Sequence, residues 1–250
     1  MNNPVVDILI LNRNYSHFLE DAIESCLNQT YKNINIIIAD DNSTDDSRKI
    51  IREYQKKSSN IKKIFINDGN PNIAKTRNKL ISQSKSEYCC FLSSDDYFHE
   101  RFIEKSMEEL KKRPEASGIY SNFNWVTSDK SFIETISRPS FCCRASLHET
   151  VITPLFVVSF ESTIFKKEVF NSGLYFHEDV HHGEESIFIC EATQYFFFVK
   201  NTDQEPLAFK RKHEQAGHVE YLSDVAKWDK ILVEKIKERV KIKPSRKKLI

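Results

Sequence analysis

Between Val5 and Leu92 the chain alternates short apolar runs with amphipathic stretches. Val5–Leu11 (VVDILIL) predicts a first strand, followed by a loop through Asn12, Arg13, Asn14 and Tyr15. Phe18, Leu19, Ala22, Ile23, Cys26 and Leu27 then recur at helical spacing, with Ser16 as N-cap and Glu20 and Asp21 in the first turn. Asn35–Ala39 predicts a second strand running into Asp40-Asp41-Asn42-Ser43-Thr44-Asp45-Asp46. Ser43 or Thr44 can cap the next helix, which buries Ile50, Ile51 and Tyr54. Ile61–Ile66 predicts a third strand, and Asp68-Gly69-Asn70-Pro71 a turn. Ile73, Ala74, Leu80 and Ile81 mark a third helix with Lys75 and Arg77 near its start. The stretch EYCCFLSSDDYF follows: an apolar run, Tyr88–Leu92, stopped by Ser93-Ser94-Asp95-Asp96. Such a run suits a strand buried on both faces. Four strand units with helices between them predict an α/β fold, a mostly parallel, doubly wound sheet with right-handed crossovers.

After Asp96 the pattern changes. Arg101–Lys112 predicts a charged helix stopped at Pro114, and Gly118–Val126 and Ser131–Ile136 predict strands around an Asp129-Lys130 turn. Leu147–Val158 reads as a helix broken near Pro154, Ser162–Phe165 as a short strand, and Lys167–Phe170 as a short helix ended by Asn171-Ser172-Gly173. His177–Gly183 is a polar loop, Glu184–Phe197 a helix and Leu207–Arg211 a strand. Tyr221, Val225, Trp228, Leu232 and Ile236 form the stripe of a last long helix. No repeat or low-complexity linker divides the chain, so the second half reads as an elaboration of the same sheet.

With 40% hydrophobic and 29% charged residues, the 250-residue chain has the composition of a globular, soluble protein with a substantial core. A net charge of +1 gives no global attraction to nucleic acid. No apolar run reaches membrane-spanning length, and Met1-Asn2-Asn3-Pro4 lacks a cleavable signal pattern. The expected location is therefore the cytoplasm, and the six cysteines (Cys26, Cys89, Cys90, Cys142, Cys143, Cys190) are expected to be reduced and mostly buried. None of them forms a Cys-x-x-Cys pair, and Cys89 and Cys90 should face opposite sides of one strand. From Arg239 the tail carries Lys241, Lys243, Arg246, Lys247 and Lys248 without an acid. A solvated end and a peripheral contact with an anionic membrane face both fit it.

The five glycines (Gly69, Gly118, Gly173, Gly183, Gly217) make neither a dinucleotide fingerprint nor a P-loop. A phosphate would have to be held through a cation and basic side chains. Asp40-Asp41 and Asp95-Asp96 end the second and fourth predicted strands, so a parallel sheet puts both pairs at one carboxyl edge, where open α/β sheets bind ligands. One carboxylate there can bind a hard cation and another can accept from a base or ribose. Solvated turns and helix-capping acids give the same letters. Asp45 and Asp46 read as capping acids. His177, His181 and His182 share a loop with no nearby cysteine, which does not suit a zinc site.

From Val5 to His213 the chain resembles the family 2 glycosyltransferases, which have the GT-A fold. The resemblance rests on five ordered segments: ILILNRNYSHFLEDAIESCLNQTYKNINIIIADDNSTDDS, NIAKTRNKL, FLSSDDYF, HHGEESIF and LAFKRKH. It implies a GT-A domain over residues 1–218, with a nucleotide-binding half (1–98) and an acceptor and catalytic half (99–218), and a C-terminal helix and basic tail (219–250). It implies an inverting transfer of a sugar from a nucleotide-sugar donor, most often a UDP-sugar, to a glycan or lipid-linked acceptor of cell-surface polysaccharide assembly, with Mn²⁺ or Mg²⁺. By similarity Asp41 meets the base with Asp40 beside it, Arg77 approaches the base edge or the phosphates, and Leu11, Asn12, Arg13 and Ser94 line the nucleotide. Asp95 matches the metal-binding acid of the D-x-D motif, whereas Ser93 stands where the family often has the first acid. Arg211 and His213 match a basic segment, Arg211 able to grip phosphate oxygens and His213 to ligate the metal or contact the diphosphate. Glu185 stands where the family usually has the catalytic Asp, with Glu184 beside it. From spacing alone both also read as first-turn acids of a helix.

Two other readings stay beside this one. A nucleotidyltransferase would want a glycine-rich loop after the first strand, where Asn12–Tyr15 has none. A non-catalytic nucleotide-sugar-binding module, or degenerate transferase, draws on the departures at Ser93 and Glu185.

Overall fold

The computed structural model describes residues 3–67, 69–141, 158–180, 183–214, 234 and 236. The expected Leu147–Val158 helix, Cys142, Cys143, His181, His182, the basic tail and most of the last helix lie outside the described residues, as does Asp68 of the expected turn.

The first half follows the alternation. Strands β1 (Val6–Asn12), β2 (Ile34–Asp41), β3 (Ile61–Asn67) and β4 (Tyr88–Ser93) enclose helices α1 (Ser16–Leu27), α2 (Ser47–Lys57) and α3 (Ile73–Gln83). Strand β1 pairs in parallel with β2 on one side and β4 on the other, and β2 with β3. Two strands from the second half, β6 (Gly118–Tyr120) and β9 (Thr163–Lys166), extend this sheet beyond β4, and β10 (Phe198–Lys200) closes it. The order is β10-β6-β9-β4-β1-β2-β3, and β9 runs antiparallel to both of its neighbours. The sheet is thus mostly parallel.

Alternation along the strands separates two cores. Val6, Ile8 and Ile10 face one side with Leu19, Ile23 and Cys26 of α1 and Phe102, Ile103 and Leu110 of α4 (Phe102–Lys112). Leu9 faces the other side with Ala74 and Leu80 of α3 and a set of phenylalanines. Cys90 belongs to the first core and Cys89 to the second, as strand alternation requires. Buried Asp7 ties β1 to the turn before β4, accepting from the Lys85 and Ser86 amides and from the Ser84 and Ser86 hydroxyls.

The second half departs from the expected elaboration of one sheet. Gly118–Val126 is two strands, β6 and β7 (Phe123–Val126), which leave Tyr120 in the large sheet and Phe123 in a second one. That second sheet has the order β5-β11-β7-β8, with β5 (Tyr97–Phe98), β8 (Phe132–Ile136) and β11 (Ala208–Arg211). The expected helix over Glu184–Phe197 ends at Ala192, and the aromatic stretch beyond it enters β10, paired with β6. An aromatic, β-branched run prefers a pleated, half-buried surface to a helix turn. Gly118 permits this crowding: a Cβ there would lie 2.8 Å from both Ile164 O and Phe198 Cδ1.

The helix starts also differ. Neither Glu20 nor Asp21 falls in the first turn of α1, and Ser16 is its first residue, with Tyr15 as N-cap. Asp45 performs the capping for two helices, its Oδ2 accepting from Ser16 N at 2.9 Å and its Oδ1 from Ser47 N at 3.0 Å. Ser43 instead accepts from Asn12 Nδ2 and Asn14 N. Among the described residues no helix is long and apolar enough to cross a membrane.

Candidate active site at the carboxyl edge of the sheet

Parallel pairing brings the ends of β4, β1 and β2 to one edge in that order, with Leu11 opposite Ser93 and Asn12 opposite Asp40. The sequence-identified residues fall into three groups along this edge.

At the end of β2, Asp40 is fully buried and already committed. Its carboxylate accepts from Asn12 Nδ2 at 2.9 Å, Ser43 N at 3.1 Å and Arg48 Nε at 3.0 Å. Asp41 accepts from Asn67 Nδ2 at 2.6 Å and Asn72 N at 2.9 Å, which locks the β3–α3 connection to β2. Asn12 keeps a buried Oδ1 without a partner, and Arg13 is exposed. Leu11 O accepts from Ser94 N at 3.0 Å, and the buried Ser94 Oγ has no partner. A groove of about 470 Å³ beside α3 meets this group through Asn67.

Just past β4, Asp95 and His213 come together, with Asp95 Oδ2 and His213 Nε2 3.2 Å apart and both side chains largely buried. Tyr15 and Phe18 pack on the His213 ring. Arg211 stands behind this pair. Its guanidinium is fully buried, donates to Asp95 O and to Asp21 Oδ2 at 2.5 Å each, and lies over the Phe18 and Tyr97 rings. The structure therefore commits Arg211 to holding the Asp95 backbone, where the sequence suggested a hand for phosphate oxygens.

The third group is a compact charge cluster. Gly183, at φ 75°, turns the chain into α6 (Glu184–Ala192; a short α5, Glu168–Asn171, precedes it), and this puts Glu184 and Glu185 in the first turn. That backbone angle suits glycine and strains other residues. Arg77 of α3 meets both acids: Nη1 donates to Glu184 Oε1, and Nη2 lies 2.9 Å from Glu185 Oε2. The guanidinium also lies over Phe160 and Phe176 at 5.2 and 5.5 Å. Arg77 is thus occupied by carboxylates, where the sequence suggested the nucleotide.

Glu161, from a one-turn 3₁₀ segment (Phe160–Ser162) before β9, completes the cluster. It accepts from Lys210 Nζ of β11 and, at 3.3 Å, from Ser93 Oγ, and its Oε1 lies 3.9 Å from Arg77 Nη2. The sequence alone gives neither the Glu161–Lys210 pairing nor a role for Lys210. The available signal was an acid inside the apolar run VVSFESTIF, since an acid buried there needs a cation.

Three carboxylates thus face two cations. Glu184 and Glu161 are buried, at 5% and 8% side-chain exposure, while Glu185 keeps 31%. Burial, with Glu161 and Glu184 nearby and only partly offset by Arg77 and Lys210, pushes the Glu185 carboxyl up to about 7. Burial also works to raise Glu161, but Lys210 and Arg77 outweigh it and hold that carboxyl below its usual range. A partly exposed carboxylate that is raised toward neutrality can exchange a proton with a hydroxyl.

The model of the family described as glycosyl transferase family 2 matches residues 7–174. The chain belongs to that family. The match runs through β1, β2, β4 and the Glu161 turn and stops before Gly183. Among curated relatives, the chain is 26% identical over 206 residues to the glycosyltransferase GlyG of Streptococcus pneumoniae serotype 4, covering 79% of this chain and 66% of GlyG. Its fold is similar to that of S. aureus TarS 1-349 in complex with UDP-GlcNAc (TM-score 0.66, 15% identity, 84% of this chain and 59% of that one). It is also similar to the mannosyltransferase PcManGT from Pyrobaculum calidifontis in complex with GDP-Man and Mn²⁺ (TM-score 0.63, 13% identity, 87% and 60%). The chain spans less than two thirds of the length of each of these three proteins. Among the described residues no three His, Cys, Asp or Glu side chains gather to hold a metal.

Proposed function

We propose that this chain is an inverting glycosyltransferase that moves a sugar from a nucleoside-diphosphate donor, with UDP as carrier, to a hydroxyl of a glycan or lipid-linked acceptor in cell-surface polysaccharide assembly. The observation that carries the proposal is at the tip of β4, where Ser93 donates to Glu161 of the cluster that contains Glu185 and Asp95, paired with His213, lies two residues further along the chain. Family membership and the likeness to folds solved with nucleotide sugars support it.

In this reading Glu185 is the base. It takes the proton of the acceptor hydroxyl while that oxygen bonds to C1 of the donor sugar and the C1–oxygen bond to the diphosphate breaks. The electron pair of that bond leaves with the diphosphate. Glu184 is the buried partner that fixes Arg77, and Arg77 holds Glu185 in place. Asp41 and the backbone of Leu11, Asn12 and Arg13 line the nucleotide, and Asp40 keeps that loop in shape through Asn12.

A carboxylate and an imidazole fit Mn²⁺ better than Mg²⁺, which prefers oxygen ligands. Asp95 and His213 are the residues that would hold the cation, and Arg211 keeps Asp95 in position from behind. When bound, the cation neutralises charge gained by the departing diphosphate.

The test is a panel of UDP-GlcNAc, UDP-glucose, UDP-galactose and GDP-mannose added to the protein with Mn²⁺, Mg²⁺ or EDTA, followed by melting temperature and release of free nucleoside diphosphate. A UDP-sugar is expected to raise the melting temperature only with a divalent cation, and nucleotide release is expected to rise on adding a glycan or lipid-linked acceptor. No response to any nucleotide sugar would remove the proposal. Binding without transfer to any acceptor would favour a non-catalytic binding module.

A further inference from the structure

The charge cluster contains one more carboxylate than cations, and geometry decides which one goes short. Lys210 Nζ closes on Glu161 Oε2, and Arg77 Nη1 on Glu184 Oε1. The remaining nitrogen, Arg77 Nη2, is shared, with Glu185 Oε2 at 2.9 Å and Glu161 Oε1 at 3.9 Å. Glu161 is therefore directly paired with Lys210 and also draws on Arg77. We propose that Glu161 is a positioning residue for Glu185, fixing how much of the cluster's positive charge that carboxylate receives. The inference deepens the reading of Glu185 as the base and rests on it for its catalytic meaning, although the electrostatic coupling stands by itself.

The groups facing Glu185 come from four elements: Arg77 on α3, Glu161 on the 3₁₀ turn, Lys210 on β11 and Glu184 on its own helix. Among the charged neighbours Glu161 acts most strongly, and it raises the Glu185 carboxyl, whereas Lys210 acts least and lowers it. Ser93 holds Glu161 from the β4 side, so a residue at the strand tip reaches the base through a single intermediary. Without Glu161, Arg77 Nη2 would serve Glu185 alone and Lys210 would lose its nearer acid. Glu185 would then ionise more readily and bind a proton less well.

The experiment uses protein labelled with ¹³Cδ-glutamate and follows the Glu185 carboxyl by NMR between pH 4 and 9, the resonance being the one lost in Glu185→Gln. The expected midpoint in the unaltered protein is about 7. Glu161→Gln is expected to lower it by about one unit, and Glu161→Asp, which keeps the charge, to leave it near its starting value. An unchanged or higher midpoint in Glu161→Gln would overturn the inference, as would equal lowering by both variants. If Glu161→Gln does not fold, the double variant Glu161→Gln/Lys210→Met decides the matter, because it removes an ion pair without leaving a lone buried charge. Its midpoint is also expected to fall, since Glu161 outweighs Lys210 at Glu185, and a rise or no change would contradict the inference. The titration needs no substrate. A shift in the midpoint together with nucleotide release that survives Glu185→Gln would leave the coupling standing and remove only the catalytic reading.

Discussion

His213 Nε2 lies 3.2 Å from Asp95 Oδ2, although 118 residues separate the two in the chain. The contact joins the tip of β4 in the large sheet to the segment just after β11 in the small one. In the proposed role of this pair, a cation would be held by residues from both sheets. Asp95→Ala and His213→Ala are each expected to abolish the Mn²⁺-dependent rise in melting temperature given by UDP. In the unaltered protein, UDP at a hundredfold excess over Kd should contribute about 2.7 kcal/mol of stability. Differential scanning fluorimetry with Mn²⁺ and with EDTA reads the difference.

In its proposed role as base, Glu185 would give the activity a pH dependence with a definite sign. A base must be ionised to accept a proton, and this carboxyl is pushed up to about 7. Turnover is therefore expected to fall below neutrality, and kcat against pH should show an acidic limb near 7. Glu185→Gln should lower kcat by about 100- to 10,000-fold and leave donor affinity unchanged.

The same carboxyl affects stability in the opposite sense. Its folded value is above the ordinary 4.5, so between 4.5 and about 7 the folded state binds more protons than the unfolded chain. Its contribution is most favourable below 4.5 and is lost as pH rises through about 7. Glu185→Gln is therefore expected to melt higher than the unaltered protein at pH 8, with the gap closing toward pH 4.5. Melting curves across that range check the sign.

Arg77 is the cation that Glu184 cannot do without. Arg77→Met leaves a buried carboxylate unpaired and is expected to cost about 3–5 kcal/mol, measured by urea unfolding. Arg77→Met with Glu184→Gln should recover part of the loss, because that pair of changes no longer strands a charge.

Asp45 tests the local folding logic independently of the site. It accepts from the first amide of α1 and the first amide of α2. Asp45→Ala should cost about 1–2 kcal/mol in urea unfolding, while Asp46→Ala, whose side chain caps neither amide, should cost less.

How much of this was legible in the sequence depended on the range of the interaction. The four units of the first half showed themselves because each strand of β1–β4 carries its own apolar run and each helix its own stripe. The small sheet did not. β5 has only two residues, and its partner β11 lies more than a hundred positions away, so no local period announces the pairing. Helix α6 was overrun because the periodicity of Ile187, Phe188 and Ile189 merges into the aromatic run that becomes β10. At the site, family-like letters marked Asp95, His213 and Glu185, but not what each one touches. By resemblance Arg77 read as a contact for the base edge or the phosphates and Arg211 as a phosphate ligand, yet both close on carboxylates or backbone, as buried guanidinium groups do when acids surround them. Glu161 and Lys210 are single letters 49 positions apart, and only the fold joins them.

The proposed function divides the labour between Asp95, which would serve the donor, and Glu185, which would serve the acceptor. Isothermal titration calorimetry of UDP in the presence of Mn²⁺ separates the two. Asp95→Ala is expected to lose binding, and Glu185→Gln to bind as the unaltered protein does. Equal loss in both variants, or full binding in Asp95→Ala, would contradict it.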